Sequence, residues 1–192
     1  MLCYHSRMNP APSLFLIGPM GAGKTTVGRR VAAQLRLAFF DLDHEIEERS
    51  GATITLMFEL EGEAGFRRRE AELLAEFSAR PGIVLSTGGG AILGADNRRH
   101  LRERGYVVYL ETTVEQQLKR LAHDHKRPLL AAPDRRERLT QLAAEREPLY
   151  REIADLIVPT GLNAGSGIAA RRLAEELSVH WQRTATAAGE AA

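Results

Sequence analysis

Residues 18–26 read "GPMGAGKTT" and lie between the apolar run "LFLI" and a segment whose apolar residues have helical spacing. In this position the stretch matches the pattern G-x-x-x-x-G-K-[ST], whose glycines let the backbone wrap around phosphate oxygens. The N–H groups at the start of the following helix add partial positive charge. We therefore predict an ATP phosphate site in which Lys24 contacts the outer phosphates and Thr25 binds Mg²⁺. The backbone of the loop is formed by Met20, Gly21, Ala22, Gly23, Lys24 and Thr25.

Length and composition set limits on the rest of the chain. With 192 residues it is long enough for one domain with a sizeable core. Its 26 basic and 25 acidic residues give a formal net charge of +1, which offers no electrostatic attraction to nucleic acid or to an anionic membrane. The single cysteine, Cys3, excludes an intramolecular disulfide framework and a Cys-rich zinc site. We expect a cytoplasmic protein without nucleic-acid or membrane partners.

Short apolar runs alternate with longer segments of helical spacing along the whole sequence. The runs are residues 14–17, 38–40, 83–85, 107–110 and 156–158, and the clearest helical segments are 27–35, 68–77 and 135–145. This alternation predicts an α/β fold with a parallel sheet and helices on both faces. Ligands of such sheets bind beyond the carboxyl ends of the strands, so the residues just after each run are the candidates for function.

The phosphate loop alone does not separate enzymes from switches or motors. A GTPase is expected to carry an N-K-x-D guanine-binding motif, and the sequence has none. A motor ATPase is expected to have an apolar strand that ends in Asp-Glu, and the nearest candidate, "VVYLE", ends at Glu111 without the aspartate. A kinase of small molecules is the class that remains.

Two acidic residues follow the second apolar run. Asp41 and Asp43 are two residues apart, which places them on one side of an extended segment. Phosphoryl transfer uses one carboxylate near Mg²⁺ and often another near the attacking hydroxyl, and this pair suits both tasks. The alternative is that Asp43 only caps the next helix. From the spacing alone both interpretations stay open.

Three further segments carry candidate binding residues. Arg67 and Glu70 are three residues apart on a predicted helix, so the carboxylate can hold the guanidinium group. Gly88, Gly89 and Gly90 follow the third run, where backbone without side chains can approach a ligand closely. The basic, proline-containing residues 123–138 have the composition of a mobile lid. Pro148 predicts that the next helix ends near "EREPLY", with Arg146 at its end.

Taken together, these motifs resemble one enzyme family. "GPMGAGKT", "FFDLDHEIEERSG", "GEAGFRRRE", "STGGGA", "RPLL" and "EREPLY", in this order and spacing, are similar to those of the shikimate kinase family. The resemblance covers residues 14–158. It implies a three-layer P-loop kinase fold with five parallel strands in the order 2-3-1-4-5, a substrate-binding segment and a lid. It also implies Mg²⁺-dependent transfer of the ATP γ-phosphate to the 3-hydroxyl of shikimate, a step towards chorismate and the aromatic amino acids.

The resemblance also implies roles for individual residues. ATP and Mg²⁺ would be bound by the loop, by Arg127 of the lid, and by Asp41 beside Thr25, and catalysis would use Lys24, Asp43 and Arg127. The residues that would bind shikimate are Asp43, Arg67, Gly88, Gly89, Gly90 and Arg146. We expect a monomeric single domain over residues 1–192. Its parts would be a flexible leader at 1–10, a substrate-binding segment at 42–75, a lid at 122–138 and a frayed tail at 183–192.

Two other functions fit part of the sequence. A kinase of another polyol acid such as gluconate would keep the loop and the lid but would not need two arginines for the acceptor. A nucleotide-binding module without catalysis would not need Asp43.

Overall fold

The computed structural model describes residues 12–122, 134–161 and 166–181. A five-stranded, all-parallel sheet with the strand order β2-β3-β1-β4-β5 forms its centre, which confirms the predicted fold class and order. The strands are β1 (Leu14–Ile17), β2 (Ala38–Asp41), β3 (Ile83–Ser86), β4 (Tyr106–Glu111) and β5 (Leu156–Pro159).

Seven helices of the described ranges pack around this sheet. They are α1 (Lys24–Leu35), α2 (Leu42–Ser50), α3 (Ile54–Ser78), α4 (Ala95–Arg104), α5 (Val114–Arg120), α6 (Arg135–Ile153) and α7 (Ser166–His180). A short 3-10 turn, Ala91–Leu93, follows β3. No helix in these ranges has the length and apolarity needed to cross a membrane.

The sheet separates two hydrophobic cores. Successive residues of a strand point to opposite faces, and β1 is buried on both. Leu14 and Leu16 join the core beneath α1 and α7, whereas Phe15 and Ile17 join the core beneath α3, α4 and α6. The central position of β1 holds the phosphate loop that follows it in the middle of the sheet edge.

Two glycines in the loop are required by backbone geometry. Gly18 has φ 140°, and a Cβ atom at this position would lie 2.6 Å from the carbonyl oxygen of Leu110. Gly23 precedes α1 with φ 91°, in the left-handed region that residues with a side chain rarely adopt. The loop therefore takes its path because these two positions carry no side chain.

Helix α2 begins earlier than the sequence predicted. Asp41 ends β2 and is also the N-cap of α2, since its Oδ1 accepts a hydrogen bond from the His44 N–H at 3.4 Å. Asp43 already lies in the first turn of the helix. The expected extended conformation was therefore wrong, although both acids line the same cleft, and the capping role belongs to Asp41.

Helix α6 passes through Pro148 and continues to Ile153, so the predicted end near "EREPLY" was wrong. A proline inside a helix removes one backbone hydrogen bond and crowds the preceding turn. The continued helix buries Tyr150 and Ile153, which are 2% and 3% exposed. This burial offsets the cost of the proline and places Arg146 within the helix rather than at its end.

The proposed substrate-binding segment, residues 42–75, is built from α2 and α3. Within α3, Gly62 has φ 69° and ψ 178°, so the helix is kinked there. The predicted leader at 1–10 and tail at 183–192 lie outside the described residues, as does most of the predicted lid at 122–138. These three assignments stay predictions.

Helix α3 offers a matched test of its packing. Leu74 is fully buried beneath the sheet, whereas Leu60 on the same helix is 75% exposed. We expect Leu74→Ala to lower the free energy of unfolding by about 2–5 kcal/mol, because it leaves a cavity. Leu60→Ala is expected to change it by less than about 0.5 kcal/mol. Chemical denaturation of both variants measures the difference, and equal losses would contradict the described orientation of α3.

Candidate active site

A cleft of about 300 Å³ lies at the carboxyl ends of the strands. The phosphate loop, the start of α2, the end of β3 and the end of α5 form its walls. Its lining includes Gly21, Gly23, Lys24, Thr25, Asp41, Asp43, Thr87, Gly89 and Arg120. The fold therefore brings seven of the predicted site residues together at one cleft.

The phosphate loop is closed by its own hydrogen bonds. Lys24 Nζ donates to the carbonyl oxygens of Gly18 and Pro19 at 2.7 and 2.9 Å. The side chains of Met20 and Ala22 are buried, 6% and 1% exposed, so their contacts with a ligand are limited to the backbone. Met20 packs in a small core beside α5 and α6. The loop is thus packed against the end of α5 and the start of α6, the two helices that flank the predicted lid.

Thr25 and Asp41 are joined across the cleft. The Thr25 hydroxyl donates to Asp41 Oδ2 at 2.6 Å. A hydroxyl and a carboxylate are hard oxygen donors of the kind that Mg²⁺ prefers. Within the described ranges no group of three or more His, Cys, Asp or Glu residues is arranged to hold a metal ion. The pair therefore fits a Mg²⁺ ion that takes most of its ligands from phosphates and water rather than from the protein.

A buried ion pair lies behind the cleft. Arg67 Nη1 donates to Glu70 Oε2 at 2.6 Å, and Arg67 Nη2 lies 3.0 Å from Glu63 Oε1. The Glu70 side chain is only 1% exposed, whereas that of Arg67 is 22% exposed. The predicted pairing of Arg67 with Glu70 is confirmed, and Nε and Nη2 of the guanidinium group donate to Glu63 on the solvent side.

Burial raises the pKa of Glu70 to about 7, although the charge and hydrogen bond of Arg67 lower it. The negative charge of Asp43 raises the pKa further, and the positive charge of Arg146 opposes this. Among the described residues Glu70 Oε1 accepts no hydrogen bond. The effect of desolvation on the pKa is larger than that of the ion pair, because the carboxylate has lost its water and Arg67 donates to only one of its two oxygens.

The three glycines after β3 make room for charged side chains. A Cβ atom on Gly88 would lie 2.7 Å from both Asp43 Oδ1 and Glu70 Oε1. A Cβ atom on Gly90 would overlap the guanidinium group of Arg67. The two carboxylates and the arginine can therefore approach the segment closely because Gly88 and Gly90 carry no side chain.

Helix α6 contacts the same segment from the other side. Arg146 is 4% exposed, and its Nη1 donates to the Gly89 carbonyl oxygen at 3.3 Å. The Tyr150 hydroxyl donates to the same oxygen at 2.5 Å. Tyr150 was not predicted as a site residue, although it is the last residue of "EREPLY". The four-residue spacing from Arg146 was the available signal.

Arg120 also lines the cleft, although no motif predicted it as a site residue. Its guanidinium group donates to the carbonyl oxygens of Gly21, Thr160 and Gly161 at 2.9, 3.1 and 3.2 Å. It thereby links the phosphate loop with the segment after β5.

The remaining site residues lie beside the cleft or outside the described ranges. Arg67 and Arg146 do not line the cleft but contact the glycine segment behind it. Arg127 lies outside the described residues. The parallel sheet, the phosphate loop and the acidic residues beside it define the class as a P-loop kinase.

Comparison with known proteins identifies the family within the class of P-loop kinases. A family model described as shikimate kinase matches residues 20–177. A shikimate kinase of Shewanella denitrificans is 53% identical over 165 residues, which cover 86% of this chain and 96% of that protein. A shikimate kinase of Bordetella pertussis is 56% identical over 148 residues, which cover 77% of this chain and 70% of that protein.

A solved structure gives the same result. The shikimate kinase from Acinetobacter baumannii in complex with shikimate has a TM-score of 0.83 and 50% sequence identity, and the match covers 88% of this chain and 94% of that one. The chain belongs to the shikimate kinase family. This confirms the family that the sequence resembles and shows that the chain is an ATP-dependent kinase.

The raised pKa of Glu70 predicts a pH dependence of stability. The folded chain binds the Glu70 proton more tightly than the unfolded chain, whose glutamate pKa is near 4.5. As the pH rises from about 4.5 to about 7, the unfolded chain loses this proton first, so the free energy of unfolding falls by on the order of 3 kcal/mol. Above about pH 7 this contribution is constant.

Glu70→Gln is expected to abolish that slope, and Glu72→Gln, an exposed neighbour on α3, is expected to keep it. Chemical denaturation between pH 4.5 and pH 8 measures both. An unchanged slope in Glu70→Gln would show that the group titrates elsewhere.

Proposed function

We propose that this chain transfers the γ-phosphate of ATP to the 3-hydroxyl of shikimate, giving shikimate 3-phosphate and ADP. The observation that supports this most directly is the position of the glycine segment. Gly89 and Asp43 line the cleft together with Lys24 and Thr25. Two arginines contact the same segment, so guanidinium groups for a carboxylate and Asp43 for a hydroxyl group lie near one another, as an acceptor that carries both groups requires.

At the acceptor end, Arg67 and Arg146 would bind the carboxylate. Arg146 supports this role because its Nε lies 3.9 Å from Glu145, too far for a hydrogen bond. A planar guanidinium group can donate two parallel hydrogen bonds to a carboxylate, which fixes the orientation of the acceptor as well as its charge. Asp43 would then accept a hydrogen bond from the reacting hydroxyl, with the backbone of Gly88, Gly89 and Gly90 against the ring.

At the phosphate end, the loop would hold ATP, with Lys24 on the outer phosphates. Thr25 and Asp41 would hold Mg²⁺ when it binds with ATP, and the ion supplies charge neutralisation on the phosphate oxygens. Arg127 is proposed as the lid residue that contacts the nucleotide. The monomeric state, the cytoplasmic location and the absence of nucleic-acid and membrane partners stay predictions from the sequence.

An acceptor panel tests the function. We expect ADP release with shikimate, and little or none with gluconate, AMP or no acceptor. Arg67→Lys is expected to weaken shikimate binding by at least about tenfold, because an ammonium group lacks the planar fork and a hydrogen bond to a charged group contributes roughly 1.5–3 kcal/mol.

Arg68→Lys is the matched control, since Arg68 is the exposed neighbour on the same helix. Calorimetry with shikimate and with a non-hydrolysable ATP analogue separates the two sites, and ATP affinity should be unchanged in both variants. Equal shikimate affinity in Arg67→Lys and Arg68→Lys would remove Arg67 from the acceptor site. A wild-type protein that prefers gluconate would overturn the proposed function.

Asp43→Asn tests the reacting end of the acceptor. The amide keeps the shape of the side chain but loses the charge that orients or deprotonates the hydroxyl, so kcat is expected to fall at least about a hundredfold. Shikimate affinity is expected to change much less. Glu45→Gln removes another charge from the first turn of α2 and serves as the control. A kcat equal to that of Glu45→Gln would exclude Asp43 from the chemical step.

A further inference from the structure

We propose that Tyr150 is a positioning residue for the acceptor site, acting through the carbonyl group of Gly89. This inference rests on the proposed function, because it assigns to the glycine segment and Arg146 the binding of the acceptor. Tyr150 itself lies behind the segment, 2% exposed, and is not among the residues that line the cleft. It therefore acts on the acceptor through the backbone that it contacts.

The geometry around the Gly89 carbonyl oxygen is the basis of the inference. The oxygen accepts a short bond from the Tyr150 hydroxyl, at 2.5 Å, and a longer one from Arg146 Nη1, at 3.3 Å. Both donors come from one face of α6, because they are four residues apart. The carbonyl of Gly89 and the N–H of Gly90 belong to one planar trans peptide, so they point in opposite directions. Fixing the oxygen towards α6 therefore directs the Gly90 N–H away from it.

The hydroxyl has little to contribute to packing. The Tyr150 ring stacks on Tyr109 of β4 with a centroid distance of 5.0 Å and an interplanar angle of 20°. A phenylalanine could make the same stack, so the hydroxyl group is explained by the bond to Gly89. Burial also raises the pKa of Tyr150, which keeps the phenol protonated and available as a donor.

The shared oxygen also affects Arg146. Because Tyr150 makes the shorter bond, the guanidinium group of Arg146 is only weakly held by Gly89 and keeps donors for an anion. Without the hydroxyl, Arg146 would be the one described side chain left to satisfy this oxygen, and it would be drawn towards Gly89. Loss of the hydroxyl therefore disturbs two parts of the acceptor site at once, the Gly89–Gly90 peptide and Arg146.

Tyr150→Phe tests the proposal, with Tyr109→Phe as the matched control that removes the hydroxyl from the other ring of the same stack. We expect Tyr150→Phe to raise the KM for shikimate by roughly threefold to tenfold, the equivalent of one hydrogen bond, with the KM for ATP unchanged. Tyr109→Phe is expected to leave both KM values within about twofold of the wild type. A purely structural role would lower the melting temperature without this selective change.

Unchanged KM for shikimate in Tyr150→Phe, equal effects in the two variants, or a parallel rise for ATP would each overturn the proposal. Activity of the wild-type protein with shikimate, measured in the same assay, tests the proposed function separately. NMR of protein labelled with ¹³C at the glycine carbonyls adds a readout without substrate. The Gly89 signal is expected to shift in Tyr150→Phe but not in Tyr109→Phe, and no difference would also overturn the proposal.

If the Tyr150→Phe variant does not fold, the proton NMR spectrum of the wild-type protein tests the proposal instead. A hydroxyl proton bonded to a buried carbonyl exchanges slowly with water, so a Tyr150 hydroxyl signal is expected. Its absence would count against the bond and thus against the proposal.

Discussion

The buried ion pair between Arg67 and Glu70 is the interaction on which the proposed acceptor end of the site depends. Glu70 is enclosed by protein and close to Asp43, so it would be costly as an isolated charge. Arg67 donates a hydrogen bond to one oxygen of Glu70, and this bond holds the guanidinium group beside Gly90. A guanidinium group that is already oriented loses less conformational freedom when an anion binds. The buried carboxylate of Glu70 is thus unfavourable by itself, but it holds Arg67 in a fixed orientation.

Hydrogen bonds between distant segments hold the two ends of the cleft at a fixed distance. The Thr25–Asp41 bond connects the start of α1 with the start of α2. Arg120 connects the phosphate loop with the segment after β5. Because these bonds join elements that are far apart in sequence, the nucleotide end cannot shift without moving the base of the substrate-binding segment. In-line phosphoryl transfer requires this kind of fixed geometry between donor and acceptor.

The sequence was sufficient for the sheet and for the conformation of the phosphate loop. Apolar runs buried on both faces mark parallel strands clearly, and Gly18, Gly23 and Lys24 form a motif whose spacing carries its own mechanism. Local rules failed where tertiary packing opposed them. Pro148 is a valid stop signal in isolation, but the burial of Tyr150 and Ile153 outweighs it. Tyr150 and Arg120 donate hydrogen bonds to backbone carbonyl oxygens of distant segments, and the sequence does not show which carbonyl a side chain will reach.

The acids after β2 illustrate the same limit at a single residue. Asp41 and Asp43 were predicted to share a face because the segment was taken as extended, and the structure starts the helix between them. Their spacing did not contain this information, since an aspartate is equally suited to a strand end and to an N-cap. Asp41 in fact serves both, with one oxygen on His44 and the other on Thr25.

The crowding around Gly88 and Gly90 also has a genetic consequence. Every amino acid that a single-base change can introduce at a glycine codon carries a Cβ atom. At these two positions such an atom would overlap the carboxylates of Asp43 and Glu70 or the guanidinium group of Arg67. A missense mutation at either position would therefore displace the charged side chains on which the proposed acceptor site depends, whatever the polarity of the new residue.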